Sequence, residues 1–159
     1  MTTHIHEPER VTYDVSAPTL AEVARLIADQ AEAGRAEWWP NWTYDYAGDQ
    51  VTRATVTVEQ RVTMPRWPEY TQASGACREE WDRFWIAVEN HEKGHIDLVR
   101  THLVDLHERL AGIPVQEAQG VFDQAVAALN AASAAYDAQT DHGRNQGTVI
   151  DVGVGATQE

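Results

Sequence analysis

The chain has 159 residues, with 12 Lys and Arg against 25 Asp and Glu, and a net charge of −13. That acidity argues against a grip on nucleic-acid phosphates or on an anionic membrane, so neither is an expected partner. No apolar run reaches the roughly 18–20 residues needed to cross a bilayer, and a lone cysteine, Cys77, excludes an internal disulfide and a four-cysteine zinc site.

The elements follow in chain order. Val11–Val15 alternates apolar and polar residues as a short strand does. Thr19 and Glu22 have capping-box spacing, and Leu20, Val23, Ala24, Ile27 and Ala31 continue at helical spacing toward a stop at Gly34. Trp42–Tyr46 reads as a strand and Gly48-Asp49 as a turn. Ala54, Val56, Val58, Val62 and Met64 then share one face of a long strand, with Gln60 its single polar member, until Pro65 and Pro68 end it. One wet face suits a half-exposed antiparallel sheet. If this strand is an edge, it is expected to take an extended peptide by strand addition.

From Trp81 the period becomes 3.6, which predicts one long helix over 77–110, closed by Ala111-Gly112. Pro114 opens a second, running to about Ala138. A loop follows over 139–143, and Val149–Val152 is expected as a last short strand. The expected architecture is one α+β domain over 1–159, with 1–10 and 153–159 loosely ordered. A small, mainly antiparallel sheet would pack on the two long helices.

His91-Glu92-Lys93-Gly94-His95 is an H-E-x-x-H sequence on the inward stripe of the long helix. Residues four apart project from one side of a helix, so both imidazoles can reach a single zinc at about 2.0–2.1 Å. Glu92 sits where it can take a proton from a zinc-activated water. Gly94 costs a helix interior about 1 kcal/mol relative to Ala, so it is expected to relieve crowding or leave room near the metal.

A catalytic zinc needs a third protein ligand. The metzincin spacing fails, because Leu98 and Thr101 stand where its Gly and His would be. His102 lies about 10.5 Å beyond His95 along the helix axis, out of reach of the same ion, as is His107. His4 and His6 fall in the loosely ordered terminus. The remaining candidates are His142, in the loop after the second helix, and the carboxylates Glu117 and Asp123.

Four segments recur together in a known family: Val11–Val15, Val62–Trp67, His91–His95, and the block from Tyr136 through Thr140 to His142-Gly143. In these the chain resembles a bacterial family of predicted secreted zinc-dependent proteases, catalogued as a domain of unknown function, across residues 11–147. The resemblance implies a zincin-like domain with His142 as the third zinc ligand beside His91 and His95, and with Tyr136 and Thr140 close by. Family members are often exported and carry a cysteine pair. The N-terminus here has neither a basic region nor an apolar stretch, so the expectation is a cytoplasmic protein, or a secreted one whose leader has been removed.

The expected function is that of a zinc metallopeptidase acting on a peptide or small amide, with Glu92 as general base. Tyr136 is the first candidate to stabilise the oxyanion, ahead of Thr140 and Asp141. Two alternatives stand beside it. One is a cytosolic zinc hydrolase or lyase acting on a small metabolite. The other is a non-catalytic module in which zinc staples the two helices, although a structural zinc normally takes four protein ligands.

Overall fold

The computed structural model describes residues 2–153. Helices combine with a four-stranded open sheet, the α+β class expected. The elements are β1 (Thr2–Ile5), β2 (Glu9–Asp14), α1 (Leu20–Ala28), β3 (Arg35–Ala47), β4 (Gln50–Arg66), α2 (Gly75–Leu103), α3 (Leu106–Leu110) and α4 (Val115–Thr140). Among the described residues, no helix is long and apolar enough to cross a membrane. The chain divides into two compact units. One comprises the residues through Glu9, Glu37–Arg61 and Gly94–Tyr136; the other comprises Arg10–Ala36, Val62–Lys93 and the described residues from Asp137 onward.

In the first unit, β4 turns Val51, Ala54, Val56 and Val58 into a core shared with Val99, Leu103, Leu106, Leu110, Phe122 and Leu129. Full burial of each such side chain contributes roughly 1.5–3 kcal/mol. Gln60, the polar member of that face, is buried too, and its Nε2 donates to the His6 carbonyl at 2.8 Å. β4 pairs with β3 across the Gly48-Asp49 turn, where Gly48 adopts φ +61°. β1 lies parallel to it, from Thr2 opposite Thr55 to Ile5 opposite Val58.

One expectation is corrected here, and of the two readings of the long strand the structure has the one paired on both sides. The start of the chain is not wholly loose: Thr2–Ile5 is a strand, too short to display an alternation, and Thr3 Oγ1 meets His107 Nδ1 at 2.7 Å. β4, with three partner strands, is not an open edge for strand addition. β3 also begins earlier than the sequence suggests. It runs through Pro40, whose missing N–H suits a strand with pairing on one side only.

The predicted 77–110 helix is two helices. α2 stops at Leu103, and the His102 carbonyl accepts from Arg109 Nη2 at 2.8 Å, which satisfies a group that a helix end leaves unpaired. Leu106 and Leu110 stay in the core across the break, so the apolar spacing cannot reveal it.

In the second unit, Thr19 caps α1 by accepting from the Glu22 N–H, and Leu20, Val23 and Ile27 are buried. α1 ends before Asp29, not at Gly34. Gly34 serves as a close approach instead: a Cβ there would lie 2.6 Å from Val88 Cγ1 and 3.2 Å from Glu92 Cγ on α2. Ser74 caps the start of α2, its Oγ accepting from the Cys77 N–H. Trp67 and Trp81 pack at 5.7 Å between ring centroids, and Trp67 Nε1 donates to the Ala17 carbonyl.

The last expected strand, 149–152, does not form. Its backbone groups go to side chains on α2: Arg83 donates to the carbonyls of Gly147 and Val149, and Glu80 accepts from the Asp151 N–H. The fraying expected from 153 concerns residues that lie, beyond Gly153, outside those described.

Candidate metal centre

In the second unit, α2 presents His91 and Glu92 inward, 4% and 3% exposed. His91 Nδ1 lies 2.8 Å from Gln146 Oε1, and its Nε2 lies 3.1 Å from Asp137 Oδ1. A neutral imidazole carries only one N–H, so it cannot donate to both oxygens. The loop bearing Gln146 closes tightly because residue 143 is glycine: at φ +88°, a Cβ there would sit 2.9 Å from His91 Cγ and 2.8 Å from Thr148 Cγ2.

Glu92 has its carboxyl pushed up to about 8, first by burial and then by the charges of Glu32 and Asp137. Its Oε2 is buried without a hydrogen-bond partner. Such an atom costs roughly 1–3 kcal/mol, more if charged, unless another group compensates it.

In the first unit, His95 is buried and its Nδ1 meets Ser133 Oγ at 2.7 Å. Tyr136 stands edge-on to the His95 ring, with centroids 4.8 Å apart at 86°. The phenol lies over Gly94, where a Cβ would come within 2.2 Å of its oxygen. Gly94 is therefore the space that the Tyr136 ring occupies. Trp38 closes another side of His95 at 6.3 Å between ring centroids.

Along α2, one ligand atom each from His91, Glu92 and His95 lies within 4.8 Å of the others. Both imidazoles are held at Nδ1, by Gln146 and Ser133, the arrangement that orients metal-binding histidines through the opposite nitrogen. His91, Glu92 and His95 are therefore a candidate metal-binding group, and imidazole nitrogen and carboxylate oxygen are donor types that zinc takes.

His142 lies beside Asp137. It adopts φ +55° after Asp141 at φ +51°, and its Nδ1 lies 4.0 Å from Asp137 Oδ2. Its ligand atom groups with Glu32 and Asp137. Thr140 Oγ1 accepts from the Gly143 N–H and so braces the same turn. Glu117 and Asp123 precede Ser133 by 16 and 10 residues on α4, roughly 24 and 15 Å along the axis, and cannot join the histidines. His102 and His107 lie beyond the motif, His107 on Thr3.

Asp137, Ser133, Gln146 and Glu32 escaped the sequence reading. Asp137 carried a usable signal, being one of the two carboxylates, with Asp141, inside the block that starts at Tyr136. No spacing rule marks the other three.

Residues 10–143 match the family described as DUF922, a bacterial protein of unknown function. No curated protein and no solved structure gives a match. With most of its length inside that match, the chain belongs to this bacterial family.

Proposed function

We propose that the protein is a zinc-dependent hydrolase of the metallopeptidase class, cleaving peptide or small amide bonds. The carrying observation is Glu92, a buried carboxylate with one oxygen unpaired, one residue from His91 and three from His95, the two imidazoles held at Nδ1. A zinc staple would have no use for that oxygen. The resemblance to predicted secreted zinc-dependent proteases supports the same reading.

His91 and His95 would hold the ion through Nε2, and Asp137 through Oδ1, in the place that the resemblance gives to His142. Zinc bound there would supply Lewis acidity, acidifying a water and polarising a carbonyl. Glu92 accepts the proton of the attacking water and hands it to the leaving nitrogen. Tyr136, positioned by Gly94 against His95, offers its hydroxyl to the developing oxyanion.

The test is turnover of a peptide library by zinc-loaded wild type and Glu92→Gln, with metal content measured on the same samples. Equal zinc content with turnover reduced by about 10²–10⁴-fold is expected, the usual contribution of a general base. Undiminished turnover in zinc-loaded Glu92→Gln would end the proposal.

A further inference from the structure

Asp137 has two carboxylate oxygens, and they face different histidines. Oδ1 lies 3.1 Å from His91 Nε2, and Oδ2 lies 4.0 Å from His142 Nδ1. Glu32 completes a second set: one ligand atom each from Glu32, Asp137 and His142 lies within 4.8 Å of the others. We propose that Glu32, Asp137 and His142 hold a second divalent cation, with Asp137 bridging it to the ion at His91 and His95. The bridging role rests on the metal centre proposed above; the second ligand set does not.

A further observation supports it: the set has an entry path. Glu32 and His142 line a cavity of about 330 Å³, walled by Ile27 and Ile150. Glu32 is exposed, and the His142 side chain is 48% exposed, so water can complete the coordination. Two carboxylates, one imidazole and water suit manganese or zinc. The exposed set should release its ion more readily than the buried one.

The experiment titrates metal-free full-length protein with zinc and, separately, with manganese, and counts bound ions by native mass spectrometry. Wild type, Glu32→Gln, His142→Ala and His95→Ala are compared, with circular dichroism confirming the fold of each. Wild type should take two ions. Glu32→Gln and His142→Ala should keep one at wild-type affinity and weaken the second at least tenfold. Dimanganese wild type should show an exchange-coupled paramagnetic resonance spectrum. A wild type that binds one ion, kept unchanged in both variants, would overturn the second site and leave the first intact. One ion lost in His142→Ala would also overturn it, making His142 a ligand of the first centre. Two ions retained at full affinity in His95→Ala would instead refute the first centre.

Discussion

Glu92 concentrates the chemistry of the chain in one carboxyl. Its proton affinity is raised from the ordinary carboxylate range to about 8 in the metal-free protein. The folded chain therefore holds this proton more tightly than the unfolded chain does. The resulting stabilisation is complete below the unfolded value of 4.5 and is lost as pH rises toward 8. The slope from this group is at most about 1.4 kcal/mol per pH unit. Metal-free wild type should melt at progressively lower temperature between pH 5 and 8, and Glu92→Gln should lack most of that dependence. Parallel melting curves for the two proteins across this range would contradict the burial of the charge. His91, Glu92 and His95 were legible because four-residue spacing on a helix is a local property. Ser133 and Asp137 were not, because their meeting with His95 and His91 depends on how α4 is turned about its axis, which apolar spacing fixes only loosely.

Among the elements, α2 carries a glycine in its interior for a reason visible only in three dimensions. Gly94 gives up helix propensity so that the Tyr136 ring can lie over the backbone beside His95. Gly94→Ala should regain up to about 1 kcal/mol of helix propensity while pushing the phenol aside, leaving the melting temperature nearly unchanged. Turnover should fall to the level of Tyr136→Phe. Full turnover in Gly94→Ala would remove Tyr136 from the proposed mechanism. The helix and strand types were legible wherever burial imposes a period, as in α1, β4 and α4. The gap between α2 and α3 was not, since Leu103 and Leu106 are both buried and the pattern runs through it. Nor was β1, whose four residues gain their order from the edge of β4.

At the scale of the whole molecule, the α+β class follows from two periods in one chain, while the pairing of β1 and β3 with β4 had to be seen. A net charge of −13 should draw divalent cations, and the bound ion should stabilise the fold that binds it. Zinc at a hundredfold excess over its dissociation constant should add about 2.7 kcal/mol, read as a rise in melting temperature that a chelator reverses. No rise would mean that zinc does not favour the folded state. In the proposed centre, His91 and His95 hold zinc through imidazole nitrogen, with an oxygen ligand completing the protein's share. X-ray absorption at the zinc edge, on protein carrying one equivalent, tests it most directly. Two imidazoles are expected among light ligands at about 2.0–2.1 Å, one of them lost in His95→Ala. A spectrum without imidazole scattering, or one unchanged in His95→Ala, would contradict it.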